Sequence, residues 1–158
     1  MWRALSAALI LGVGLLTAAA EQARDRPERC LDLNAEVMRF SEINETIHAC
    51  TAIITNESKI PRMRTDALAQ RGLLYARRWT FTDDRRDAFR SISDLSDALG
   101  LADFASEGKR IILLMRRGQV YEVLGQRPQA ADDFRAVLMI SPRHEAAQSA
   151  LKRLGESP

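Results

Sequence analysis

The sequence is poor in aromatic residues, glycine, proline and cysteine. Aromatic residues make up 6% of its 158 positions, and it has 8 glycines, 5 prolines and 2 cysteines. Strands are usually rich in aromatic and β-branched residues and are punctuated by Gly and Pro turns, so this balance favours helices. Hydrophobic residues make up 46% of the chain, which is enough for one compact domain with a core.

An excess of charge of either sign is also missing. The formal net charge is +2, and removing residues 1–20 takes away only Arg3, leaving 22 basic and 21 acidic residues. A protein this close to neutrality has no general electrostatic attraction to nucleic acid or to an anionic membrane, so neither is expected as a partner. Arginine pairs occur at 77–78, 85–86 and 116–117 among interspersed acids, which is typical of solvated helix faces with local ion pairs.

Signature motifs of common enzymes are lacking as well. The chain has no Gly-rich phosphate loop, no Gly-x-Ser-x-Gly and no His-Glu-x-x-His, and His48 and His144 lie too far apart for zinc spacing. Paired acids occur at Asp83-Asp84, at Asp94 and Asp97, and at Asp132-Asp133. We expect these acids to cap helices and form surface pairs. The sequence therefore predicts no catalytic residues, no metal and no cofactor.

The longest uncharged apolar run lies at the amino terminus, from Ala4 to Ala20. Arg3 precedes it, and Ala18-x-Ala20 offers a small-residue cleavage signal before Glu21, so residues 1–20 are predicted to be a secretory signal peptide. An uncleaved membrane anchor is the alternative, because a run of 17 residues is at the lower limit for spanning a bilayer.

Cys30 and Cys50 are the only cysteines. An even number of cysteines in an exported protein points to a disulfide, which here would close a loop of about 20 residues and stabilise the fold by roughly 3 kcal/mol. A redox pair is disfavoured, because there is no Cys-x-x-Cys and His48 is poorly placed on a helix to activate Cys50. Two unpaired thiols are the remaining alternative.

Apolar residues recur every three or four positions from Leu31 to Leu154, which predicts amphipathic helices. We place these helices at about 34–56, 62–79, 84–104, 107–126, 128–140 and 143–154. Pro61, Gly125, Pro128 and Ser141-Pro142 mark the breaks, and the Thr and Asp residues of 80–84 offer caps for the third helix.

Two short stretches repeat one another. Arg71-Gly72-x-x-Tyr75 returns as Arg117-Gly118-x-x-Tyr121, each inside an apolar, helix-like run. We expect each glycine where two paired helices come close, with the tyrosine filling the space beside it. Each copy is followed by a helix with one inward stripe of small and large residues. The stripes are Ser91, Ile92, Leu95, Ala98, Leu99 and Leu101 after the first copy, and Ala130, Phe134, Val137, Leu138, Ile140 and Pro142 after the second.

This pattern resembles the tetratricopeptide repeat, a helix-turn-helix unit of 34 residues. In the second copy Leu114, Gly118, Tyr121, Ala130, Phe134, Val137 and Pro142 match seven of the eight signature positions in type, and Arg117 stands at the remaining one. The first copy matches through Leu68, Gly72, Tyr75, Ser91, Leu95 and Ala98 if about seven extra residues around "RWTFTDD" separate its helices. We therefore expect an unusually long turn there.

The resemblance covers residues 34–154 and implies an all-α fold, a short right-handed α-solenoid. It would contain about two full repeats, an N-terminal half-repeat with Thr46, Cys50 and Ile53 facing inward, and a C-terminal capping helix within 143–155. Residues 21–33 would form an N-terminal segment tied by the disulfide over the half-repeat, and 155–158 a tail. Ala49-Cys50-Thr51 is similar to a sequence in small exported tetratricopeptide proteins of Gram-negative bacteria, which implies a periplasmic location.

The resemblance also implies that a partner protein or peptide binds on the concave side, which the first helices of the repeats line. The groove-facing positions are Gln70, Leu73, Arg77, Met115, Arg116, Gln119, Glu122, Ser149 and Arg153. This mixed strip would suit a short peptide with some negative charge. Leu73 and Gln119 stand where repeats that clamp a C-terminal carboxylate have Asn, so that specialised activity is not predicted. The alternatives are a concave face that is merely solvated, and a structural protein that self-associates.

Overall fold

The computed structural model describes residues 28–31, 38–56, 61–101 and 106–157. These residues form seven helices and no strand, so the all-helical prediction is confirmed for them. The helices are α1 (Glu28–Leu31), α2 (Phe40–Thr55), α3 (Pro61–Thr82), α4 (Arg85–Leu101), α5 (Glu107–Val123), α6 (Arg127–Ile140) and α7 (Glu145–Arg153). The predicted signal peptide lies outside the described residues. None of these seven helices is both long and apolar enough to cross a bilayer.

Several helix ends fall at the residues that the sequence marks. Pro61 is the first residue of α3, Pro128 the second residue of α6, and Gly125 follows α5 with a φ of 75°, a conformation that glycine adopts without strain. The Asp84 carboxylate accepts a hydrogen bond from the backbone N–H of Arg86 at 3.0 Å and so caps the start of α4.

The predicted long turn between the first pair of helices is wrong. α3 continues to Thr82, and only residues 83–84 separate it from α4. The hydroxyls of Thr80 and Thr82 donate to the carbonyls of Arg77 and Arg78 in the preceding turn, at 2.7 and 3.1 Å, so both hydroxyls are satisfied within the helix. The seven extra residues therefore lengthen the helices of this hairpin instead of its turn.

The helices pack mainly against their neighbours in sequence, from α2 to α7, and α3 also contacts α5. The core follows the chain as three clusters of buried residues. These clusters include Cys30, Ile43, Ile53 and Leu74 at the N-terminal end, Leu68, Leu95, Ala98 and Leu113 in the middle, and Leu114, Phe134, Val137 and Leu151 at the C-terminal end. Packing between near neighbours is typical of helical repeat arrays.

The close approaches predicted at the two glycines are confirmed. A Cβ atom at Gly72 would lie 2.9 Å from Cγ of Leu95, and one at Gly118 would lie 2.7 Å from Cε1 of Phe134. Only a residue without a side chain lets α3 approach α4, and α5 approach α6, at this distance.

At the N-terminal end, the sulfur atoms of Cys30 and Cys50 lie at bonding distance and their Cα atoms are 4.8 Å apart, so the predicted disulfide is confirmed. Both cysteines are fully buried. The disulfide holds α1 against α2, and α1 also contacts α3. α3 likewise contacts the two helices that follow it, α4 and α5.

Candidate functional site

A cleft of about 460 Å³ opens between α3 and α5, the two helices that carry the repeated Arg-Gly-x-x-Tyr sequence. Its walls are Leu73, Ala76, Arg77, Trp79 and Thr80 on α3, and Arg116, Gln119, Val120 and Val123 on α5. Clefts of roughly 300–1,000 Å³ with mostly apolar walls and a few polar groups are typical of ligand sites. We take this cleft as the candidate functional site.

Four of the predicted groove residues line the cleft together: Leu73, Arg77, Arg116 and Gln119. Leu73 and Arg77 lie on α3, whereas Arg116 and Gln119 lie on α5. The structure brings these two helices side by side. In α5 the lining positions 116, 119, 120 and 123 are spaced i, i+3, i+4 and i+7, so they form one helix face.

The other predicted groove residues lie elsewhere. Gln70 is half-buried outside the cleft lining, and Met115 packs against the C-terminal core cluster. Glu122 and Arg153 bind each other, with Nε and Nη2 of the arginine 3.1 and 3.0 Å from the two carboxylate oxygens. Ser149 is exposed on α7. The predicted strip is therefore divided between the cleft and a separate contact of α5 with α7.

The sequence-based prediction omits five lining residues, which are Ala76, Trp79, Thr80, Val120 and Val123. Trp79 and Thr80 lie where a long turn was expected, and a turn has no regular face. Once α3 is continued as a helix, the spacing of Leu73, Ala76 and Thr80 at i, i+3 and i+7 places all three on one side. That spacing was the signal in the sequence that could have identified Ala76 and Thr80.

An arginine in each helix pair positions the walls. Arg71, next to Gly72 on α3, donates from Nε and Nη2 to Asp94 on α4, at 2.7 and 2.8 Å. Its Nη1 donates to the hydroxyl of Thr51 on α2 at 3.0 Å. One guanidinium thus joins three consecutive helices, and its hydrogen bonds to Asp94 raise the pKa of Arg71 above its ordinary value.

The same contact is built again one helix pair later. Arg117, next to Gly118 on α5, donates to Asp133 on α6 at 2.9 and 2.6 Å, and its Nη1 donates to the hydroxyl of Ser96 on α4 at 2.8 Å. Hydrogen bonding to Asp133 again raises the pKa of the arginine. The repeat seen in the sequence is therefore also a repeat of side-chain contacts.

The lengthened part of the first hairpin has a second arginine–aspartate pair of its own. Arg78 donates to both oxygens of Asp87 at 2.7 Å, and to Asn44 on α2 at 2.8 Å. The Tyr75 ring lies near both pairs, with the guanidinium carbons of Arg71 and Arg78 5.8 and 5.2 Å from its centroid. These contacts hold the end of α3, and with it the Trp79 wall of the cleft, against α4 and α2.

The cleft itself is apolar and positively charged. Its lining residues include Arg77 and Arg116 and no carboxylate. The guanidinium of Arg77 lies 4.9 Å above the Phe81 ring. In the described ranges, Nε of Arg77 and Nε1 of Trp79 are buried and have no hydrogen-bond partner. Buried donors left in this state are costly, by about 1–3 kcal/mol each.

Three buried carboxylates take part in contacts between helices. Asp87, Asp94 and Asp133 each accept two hydrogen bonds from an arginine, which leaves them engaged in helix contacts. No group of three His, Cys, Asp or Glu side chains suited to a metal ion occurs in the part of the chain that the structure describes.

Comparison of the chain with protein-family models, with curated proteins and with solved structures returns no match. Function is therefore inferred from the cleft and from the contacts that build it.

Proposed function

We propose that this protein is an exported interaction module of the tetratricopeptide type, which binds a peptide segment of a partner protein in the cleft between α3 and α5. The repeated arginine contacts support the repeat assignment. Arg71 and Arg117 each join the helix before, their own helix and the helix after, beside a glycine that admits a large side chain. An enzyme has no comparable support.

The main support for the binding proposal is apolar surface in the cleft that is exposed to solvent. Val123 is 71% exposed at one end of the lining, although it belongs to the same helix face as the buried Val120. Exposed apolar surface inside a concave, polar-rimmed site marks ligand or protein contact more often than an isolated exposed residue does. A peptide segment of a partner would cover this surface.

A random peptide library displayed on phage, selected against the full chain, tests the proposal whatever the identity of the partner. Selected peptides are then synthesised and their affinities measured by fluorescence anisotropy. Val123→Asp, which puts a charge into the cleft, should weaken binding by about tenfold or more. Met139→Asp is the matched control, because Met139 is 86% exposed on α6 and does not line the cleft, and it should leave the affinity unchanged.

Selection of no peptide, or of peptides that bind the Val123→Asp variant as well as the original chain, would overturn the binding proposal. Self-association is the alternative occupant of the same surface. Light scattering that shows a dimer at all concentrations, dissociated by Val123→Asp but not by Met139→Asp, would indicate that a second copy covers the cleft.

Export to the periplasm is the second part of the proposal. It is supported by the buried disulfide, since such bonds persist in oxidising compartments. Expression of the full chain in a Gram-negative host, followed by intact mass measurement on the periplasmic fraction, tests it. The expected mass is that of a chain beginning at Glu21 with one disulfide. Recovery only in the membrane fraction with an intact N-terminus would support the anchor alternative.

A further inference from the structure

The lengthened end of α3 gives the cleft a wall that the second helix pair does not have. α3 continues for seven residues after Tyr75, whereas α5 ends two residues after the corresponding Tyr121. Trp79 and Thr80 belong to this continuation and line the cleft. The second arginine–aspartate pair, Arg78 with Asp87, fixes it in place. The extra residues thus make a rigid part of the binding surface.

The size and lining of the cleft limit what it can hold. About 460 Å³ suits one or two side chains of a peptide, not a long partner helix. Apolar surface in this lining includes Trp79 on α3 and Val120 and Val123 on α5. An aliphatic or aromatic side chain fits this surface best, because it buries apolar area without removing any polar group from water.

Arg77, one of the two arginines of the cleft lining, is not used in the ion pairs between helices. Arg71 and Arg78, on the same helix, each bind an aspartate on α4. No ion pair joins Arg77 to a described carboxylate, and this side chain contacts the Phe81 ring instead. A ligand that supplies a carboxylate beside Arg77 complements this charge.

We propose that the extended end of α3 determines specificity: the cleft takes an internal peptide segment in which an apolar residue stands next to Asp or Glu. The apolar side chain lies between Trp79 and Val123, and the carboxylate binds the guanidinium of Arg77. This inference rests on the proposed function of the same cleft and names the chemistry of its ligand. The acid is a side chain within the segment, since Leu73 and Gln119 stand where repeats that clamp a C-terminal carboxylate have Asn.

The peptides selected from the phage library are the probes for this inference. We expect most of them to carry Asp or Glu beside an aliphatic or aromatic residue. A double-mutant cycle then pairs Glu→Gln or Asp→Asn in the peptide with Arg77→Gln in the protein, measured by anisotropy on the full chain. The amide peptide should bind the original chain about tenfold more weakly, as expected for the loss of a charge-assisted hydrogen bond, and the two peptides should bind Arg77→Gln about equally.

Two further variants separate specific recognition from general charge and from misfolding. Arg64→Gln removes the same charge from an exposed position of the same helix outside the cleft lining, and it should preserve the preference for the acidic peptide. Trp79→Phe retains an aromatic wall, and it should preserve the preference for the acidic peptide, because the Nε1 atom that it removes is buried and does not reach the ligand.

The outcomes distinguish the two proposals. If cleft-dependent peptides are selected but lack an acid, or if the cycle is additive, the inference about the carboxylate is wrong and the binding function stands. If Arg64→Gln abolishes the preference as strongly as Arg77→Gln, general charge is responsible and the inference is again wrong. If no selected peptide depends on the cleft, the proposed function itself fails and this inference fails with it.

Discussion

Arg117 and Asp133 stand 16 residues apart and form a two-point ion pair between α5 and α6, while Arg71 and Asp94 stand 23 residues apart and form the same pair between α3 and α4. The two ion pairs have the same geometry although the first spans seven more residues of chain. The pairing therefore recurs with the repeated Arg-Gly sequence and does not depend on the length of the hairpin. It also places the glycine next to each arginine against a large side chain of the facing helix.

Replacing Arg117 by Gln should destabilise the fold by about 3 kcal/mol or more, because it leaves the nearly buried Asp133 carboxylate without its partner. Urea denaturation followed by circular dichroism measures this loss. Arg135→Gln is the matched control, since the pairs of Arg135 with Asp132 and Glu156 are exposed and should contribute less than about 1 kcal/mol. Equal losses for the two variants would show that the Arg117–Asp133 pair has no special role.

Gly118→Ala should destabilise the protein by about 1–3 kcal/mol, because the new methyl group would overlap the buried ring of Phe134. Gly108→Ala in the same helix has open space and should be neutral or stabilising by up to about 1 kcal/mol, since alanine favours helix. Thermal unfolding compares the two. Combining Gly118→Ala with Phe134→Leu should recover part of the loss, and failure to recover any of it would argue against a steric cause.

Asp87→Asn should loosen the end of α3, because Arg78 would lose the carboxylate that holds it to α4. In a chain that carries Trp2→Phe, Trp79 is the only tryptophan, so its emission reports on this region. We expect a red-shifted emission and stronger iodide quenching than in the parent chain. Asp97→Asn, an exposed position of the same helix, should change neither property. An unchanged Trp79 signal in Asp87→Asn would show that other contacts hold the extension.

Removal of the disulfide by the double replacement Cys30→Ala and Cys50→Ala should cost roughly 3 kcal/mol on the loop-closure estimate. Since packing runs between neighbouring helices, the loss of amide protection from hydrogen exchange should be greatest in α2 and smallest in α6. Mass spectrometry after deuterium labelling resolves these helices. A uniform loss of protection along the chain would instead indicate one cooperative unit.

The sequence predicted the six larger helices and the points where they approach, because both are local properties. Apolar spacing of three and four residues defines a buried helix face, and a glycine repeated in that face admits a close neighbour. The disulfide followed from an even number of cysteines. The end of α3 was missed, since threonine and aspartate favour a turn locally. The Arg78–Asp87 pair favours the helix once α4 is packed beside it.

The candidate site was predicted only in part, because its lining also depends on contacts between separate helices. Leu73, Arg77, Arg116 and Gln119 were assigned to a common side by the resemblance to tetratricopeptide repeats, and they do line one cleft. That Glu122 turns to Arg153 instead depends on where α7 packs. Sequence by itself determined which residues share a helix face, because that depends on backbone geometry alone. Only the tertiary structure decided which arginine meets which carboxylate and which faces enclose the cleft, because those contacts depend on how separate helices are aligned when their side chains interlock.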